Sequence, residues 1–328
     1  MEHRRRRRHL YALVAPALAV LLAACSSGQG TQSAAGAESK TAGKKITFVT
    51  ALLADANWAG ANKCFMSRSN ALGMIPTLVA PPNETASNAG MVQLAEQALA
   101  SKPDGMIVVP LVPAEFDNVL DQAKTQKVPV IALDLDTSTP DQRIAWVTTD
   151  PKKYGVLAAD EVGKLAHGKG NVGILYSGPT VTNQIESIST FKAELAQKFP
   201  AMKIVDPGEI IEPGGNRNED SATEIARGML VAHPNINVIW SPDGLGGIVG
   251  ALAAKELNKK PGQIIVVGAD HLPQVAADLK SGWEQASLQS VSCAWGNALA
   301  NTFAAYFNGK LKSPIVNIPP VLFTHDNP

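Results

Sequence analysis

The stretch that most constrains this chain is VPVIALDLD, residues Val128 to Asp136. A short apolar run reads as a strand buried on both faces, and Phe116, Val119, Leu120 and Ala123 recur at helical spacing just before it. A strand entered through a helix belongs to a parallel sheet, and in open parallel sheets ligands sit beyond the carboxyl ends of the strands. Asp134 is therefore expected at the mouth of a cleft. Similar units follow: Val172 to Leu175, Val238 to Trp240 leading to Asp243, and Ile264 to Gly268 leading to Asp270.

The same alternation extends along the chain. Strands are expected at Ile46 to Thr50, Thr77 to Ala80 and Gly105 to Val109, separated by helices at Trp58 to Leu72 and Ser87 to Ala100. A second series starts after Thr149, with helices near Lys153 to Leu165, Ile185 to Lys198, Ser221 to Ala232, Ile248 to Leu257 and Pro273 to Lys280. Strands at Asn171 to Leu175, Ile204 to Gly208, Val238 to Trp240 and Ile264 to Gly268 lie between those helices. The fold class is α/β: two similar doubly wound parallel-sheet lobes with right-handed crossovers.

Residues 1–24 are expected to be a signal peptide. Arg4 to Arg8 form a positive segment and Leu10 to Leu22 an apolar one too short for a comfortable membrane span. Leu22-Ala23-Ala24-Cys25 matches a bacterial lipobox, so Cys25 is expected to carry the lipid (palmitate among its acyl chains) of an extracytoplasmic lipoprotein held on the cell membrane. The polar residues 26–44 read as a flexible tether. The whole chain has 29 Lys and Arg against 29 Asp and Glu; without the leader 24 face 28, a formal charge of −4. Such a body offers no basic patch for phosphate neutralisation, so nucleic acid is not an expected partner.

Five stretches, in order, then resemble one family. ITFVTALLADANWAGANKC is similar to the first strand and ligand loop of type 1 periplasmic binding proteins of the monosaccharide-binding class; KPDGMIVVPLVPAEFDNVLDQAKTQKVPVIALD is similar to the stretch ending in their hinge-side aspartate. IAWVTTDPKKYGVLAADEV resembles the crossing into the second lobe, IIVVGADHLPQ that lobe's ligand aspartate, and ASLQSVSCAWGNALANTFAAYFNGK the return crossing and last helix. The resemblance implies an N-terminal lobe of 45–147 plus 286–309, a C-terminal lobe of 148–285 plus 310–328, and a three-segment hinge crossed near residues 148, 286 and 310. It implies a receptor, not an enzyme: a monomer without cofactor or metal that closes on a small neutral sugar or polyol and presents it to the permease of an ABC importer.

An ionised carboxylate can accept from two neighbouring sugar hydroxyls, and such charge-assisted bonds are strong. The resemblance puts Asp134 and Asp270 in that role and Trp58 against the apolar face of the sugar. Asp55, Asn57, Asp150, Asn183, Asp243 and Ser290 are further candidates, each of them also a residue type that caps helices or makes turns. Ribose-type relatives carry an arginine after the first aspartate, where this chain has Leu135, which argues against ribose itself. Another pentose or hexose, a linear polyol or a furanosyl signal such as autoinducer-2 stays open, as does a cationic ligand beside Trp58.

With Cys25 lipidated, Cys64 and Cys293 remain; the family fold puts both in the first lobe, where they form a disulfide or stay as two buried thiols. Two rival functions are kept: a receptor that signals to a membrane sensor, and an NAD-dependent oxidoreductase. The latter rests on Gly244-Leu245-Gly246-Gly247-Ile248-Val249-Gly250, close to a dinucleotide fingerprint but spaced GxGxxxG. Close helix packing explains the same glycines.

Overall fold

A computed structural model describes residues 40–51, 56–81, 88–213, 217–289 and 292–327. The expected leader, Cys25, most of the tether, Asp55 and Ser290 lie outside the described residues, as does the side chain of Asn57.

The first sheet is built from β1 (Lys45–Val49), β2 (Ile75–Val79), β3 (Gly105–Val108), β4 (Val130–Leu133) and β5 (Ala145–Thr149), with the helices α1 (Ala56–Ala71), α2 (Asn88–Ala100) and α3 (Pro113–Thr125) between them. The second sheet takes β6 (Lys169–Tyr176), β7 (Ala201–Ile210), β8 (Val238–Trp240), β9 (Ile265–Ala269) and β10 (Ala286–Gln289). Its helices are α4 (Pro151–Leu165), α5 (Thr182–Lys198), α6 (Glu219–Ala232), α7 (Gly244–Glu256) and α8 (Pro273–Ser281). Then come α9 (Ser292–Phe307), β11 (Ile315–Ile318) and β12 (Val321–Thr324).

Strand order is β11-β5-β4-β3-β1-β2 in one sheet and β12-β10-β9-β8-β6-β7 in the other. Apart from its edge strand, the second sheet repeats the order of the first. All described pairs are parallel except β10 with β12. In both sheets the order reverses beside the first strand of the lobe, which opens a crevice at the strands' carboxyl ends.

Period-two alternation and double-sided burial explain why these strands are apolar throughout. Val172, Ile174, Val238, Trp240 and Val267 pack with α4 and α5 in one core. Their neighbours Leu175, Ile239 and Val266 point the other way, into a core shared with α6 and α7. In α3 the residues buried on the sheet are Phe116, Val119, Leu120 and Ala123, the helical set expected from their spacing.

The chain passes between the sheets three times: after β5, after β10 and between β11 and β12. Two passages differ in place from the expected lobe divisions at 286 and 310. Residues 286–288 pair with β9 and 286–289 with β12 in the second sheet, and 315–318 pair with β5 in the first. The reason is hydrogen bonding: a passage can occur only where a strand's ladder has ended, and those two ladders end four to nine residues later than the resemblance implies.

Candidate functional site

Asp134 ends β4 and Asp270 ends β9, and the two are built alike. Both adopt a left-handed backbone, with φ of 66° and 64°, a conformation that aspartate tolerates better than most residues. The Asp134 N–H donates to the Val147 carbonyl of β5, and the Asp270 N–H to the Leu288 carbonyl of β10, each at 2.9 Å. A hydroxyl from that next strand then holds the aspartate's own carbonyl: Thr148 donates to Asp134 at 3.1 Å and Ser287 to Asp270 at 2.6 Å. The Trp146 indole N–H also donates to the Asp134 carbonyl, at 2.9 Å. With main chain fixed on both sides, each carboxylate is aimed beyond the end of its sheet.

Both line one cavity of about 150 Å³. A cavity of that size holds a single six-membered ring, benzene being the measured case. Trp58 from α1 and Trp295 from α9 form an aromatic wall, their ring centroids 5.8 Å apart. Asn183 and Asp243 line the cavity from the second lobe, so the structure brings five of the sequence candidates together.

The Asn183 side-chain amide donates to Asp134 Oδ1 at 2.9 Å, a hydrogen bond from the second lobe to the first. Burial pushes the Asp134 carboxyl up to about 6, with the Asp243 charge adding and the Asn183 bond opposing. Asp243 is also the N-cap of α7, accepting from the Leu245 N–H at 2.7 Å, while its other oxygen takes the Ser177 hydroxyl at 2.8 Å and the Gln184 amide at 3.2 Å. Asp270 lies over the first turn of α7, where a Cβ at Gly244 would collide with its carboxylate. Gly246 and Gly247 in turn admit Ser241 and the α-carbon of Gly268, so this glycine run serves close packing.

Asp150 behaves differently. Its neighbours Thr149 and Pro151 line the cavity, whereas its carboxylate caps α4, accepting from the Lys152 and Lys153 N–H groups at 3.1 Å each. Asp55 and Ser290 lie outside the described residues, and of Asn57 only the main chain, in α1, is described.

Several cavity residues escaped the sequence reading. Tyr154 of α4 donates its hydroxyl to the Leu288 carbonyl at 2.9 Å, and burial, then the charges of Asp270 and Asp243, raises its pKa. Trp295 donates its indole N–H to the Thr149 hydroxyl at 3.2 Å. Tyr154 and Trp295 both sit within helical patterns, where an aromatic residue reads as core; only the crossing of two lobes turns them toward a cavity. Arg217 reaches Glu212 at 2.8 Å and Asp243 at 3.5 Å, from a loop that carried no motif. Cys64 of α1 and Cys293 of α9 form a disulfide, with Cα atoms 5.2 Å apart. Among the described residues no group of three or more His, Cys, Asp or Glu is placed to hold a metal ion.

Comparison with known proteins places this geometry. The sequence model of the family described as "Periplasmic binding protein domain" matches residues 46–311. The D-ribose/D-allose-binding protein of Pseudomonas aeruginosa is 24% identical over 196 residues, 58% of this chain and 59% of that protein. The galactofuranose-binding protein YtfQ of Escherichia coli is 26% identical over 199 residues, 58% of this chain and 60% of that protein. The matched stretch thus spans about three fifths of each of these relatives. Among solved structures, GanP, a glucose-galactose binding protein from Geobacillus stearothermophilus, superposes with a TM-score of 0.78 at 22% identity, covering 87% of this chain and 98% of that one.

Proposed function

The chain belongs to the periplasmic binding protein domain family, and on that premise we propose that it is an extracytoplasmic solute receptor for a monosaccharide or polyol. The observation that carries this reading is the pair of equivalent aspartates, Asp134 and Asp270, which two separate sheets aim into one ring-sized cavity walled by Trp58 and Trp295. A ring with hydroxyls at its edge and C–H groups on its face needs carboxylates at the edge and an aromatic surface below. The ligand contacts both lobes only when they are closed, so its binding energy draws them together about the three passages. No step requires covalent chemistry, and the closed form is what an ABC permease would recognise.

The lobes in this reading are residues 45–149 with 292–318, and 151–289 with 321–328. Residues 1–24 direct export, and Cys25 carries the lipid that holds the receptor at the cell membrane by the tether that follows it. The relatives' own ligands, D-ribose or D-allose and galactofuranose, support a monosaccharide as the class.

The test is a thermal-shift screen of the purified protein against pentoses, hexoses and polyols. A ligand present at a hundredfold excess over its Kd adds about 2.7 kcal/mol, several degrees of melting temperature for a body of this size. At least one sugar or polyol should give that shift, and Asp270→Ala should remove it. A screen in which no carbohydrate moves the melt overturns the proposal.

A further inference from the structure

Granted that this cavity is the receptor's ligand site, the balance of donors and acceptors in its walls narrows the chemistry of the ligand. The donors of the described walls are largely turned toward the protein itself. Asn183 spends an amide N–H on Asp134, and Gln184 spends its two on Ser177 Oγ and Asp243 Oδ2. The Tyr154 hydroxyl goes to Leu288, the Trp295 indole to Thr149, and the Ser187 hydroxyl to the Asn183 carbonyl.

The acceptors are of another order. Three carboxylates, Asp134, Asp243 and Asp270, line the cavity, and no lysine or arginine does so among the described residues. Arg217 touches Asp243 from outside that lining and shares its charge with Glu212. Like charges gathered in a half-buried space disfavour one another; protonation of Asp134 relieves one of them, whereas an added cation in the cavity is drawn to all three while they stay ionised.

A hydroxyl donates one hydrogen bond and offers two lone pairs, which the described walls, short of donors, leave unmet; an ammonium offers three N–H groups and no lone pair. It is also drawn to the electron-rich face of an indole such as Trp58 or Trp295. We infer that the preferred ligand is an amine-bearing monosaccharide or amino-polyol, with its ammonium donating to Asp134 and Asp270 and its ring against the tryptophan pair. The remaining hydroxyls donate to Asp243 and to whatever carboxylate edge the ammonium leaves.

Matched pairs test this directly. Isothermal titration calorimetry at pH 7 compares glucosamine, galactosamine and mannosamine with glucose, galactose and mannose and with the three N-acetyl derivatives. At least one amine should bind tenfold or more tighter than both its parent and its N-acetyl form. Asp134→Asn and Asp270→Asn, which keep the side-chain shape and remove charge, should each cut that preference to below threefold. If the parent hexoses bind as tightly as their amines, or if the preference survives both variants, the inference is overturned while the sugar-receptor reading stands. If none of these nine sugars binds while a pentose or polyol shifts the melt, the inference falls and the receptor reading stands; if no carbohydrate of either panel binds, both fall.

Discussion

Asp134 meets two opposing demands. Folding places its carboxylate among apolar strands' ends, where burial lifts it from the ordinary 3.8 to about 6, and the ligand contact proposed for it needs it charged. Because the folded chain holds this proton more tightly than the unfolded one, stability from this group is greatest below pH 3.8, falls as pH rises from 3.8 to 6, and above 6 reaches a cost of at most about 3 kcal/mol. Asp134→Asn should therefore raise the melting temperature at pH 7.5 by roughly 4–8 °C and leave it unchanged at pH 4, while weakening the ligand. Equal melting of variant and parent at pH 7.5 would remove the strain assigned to this carboxylate. Gly244 makes the complementary case. Gly244→Ala should push the Asp270 carboxylate aside and weaken binding at least tenfold, about 1.4 kcal/mol, with the melting temperature of the ligand-free protein little changed; calorimetry and a thermal melt read the two separately. Candidates of this kind were visible in the sequence because an aspartate at a strand end either faces the crevice or caps the next helix. The sequence left open whether Asp150, Asp243 and Asn183 cap helices or face a ligand. In the structure Asp150 caps α4, Asn183 bonds across the lobes to Asp134, and Asp243 caps α7 while lining the cavity.

At the scale of elements, the disulfide matters most for function. Cys64 lies less than two turns beyond Trp58 on α1 and Cys293 two residues before Trp295 on α9, so the bridge ties together the two helices that carry the aromatic wall. A link spanning a sequence separation of 229 residues restricts the unfolded chain strongly, and removing such a bridge costs roughly 2–5 kcal/mol. The double variant Cys64→Ser, Cys293→Ser should melt well below the parent and bind its ligand several-fold more weakly, because α1 and α9 then hold the rings less firmly. A melt that shifts with no change in Kd would confine the bridge to stability. Elements themselves were legible in proportion to their periodicity. α3 declared its buried face residue by residue, and β8 was expected with the bounds it has, Val238 to Trp240. The five buried residues of β5 lie in a stretch whose resemblance implies only a crossing between lobes. β11 and β12 are short runs on either side of Pro319-Pro320, with too few residues to show a period.

Over the whole molecule, two sheets share the order of their first five strands, and in the proposed function they are the halves of one clamp. Ligand-driven closure predicts that the radius of gyration from small-angle scattering falls on adding a bound sugar, and that Asp270→Ala abolishes this contraction at the same ligand concentration; a radius that stays constant on binding would rule out closure as the response. The amino-acid sequence by itself determined the α/β alternation, the aspartates at strand ends and the likeness to a receptor family, because apolar periodicity and strand-end residues are local properties of the chain. Only the tertiary structure decided which sheet each of the last strands joins, which side chains beside Asp134 and Asp270 form the cavity, and that Tyr154, Trp295 and Arg217 belong near it. Those outcomes depend on contacts between residues more than a hundred positions apart, such as Tyr154 with Leu288 and Thr149 with Trp295, and no local pattern encodes a partner at that distance.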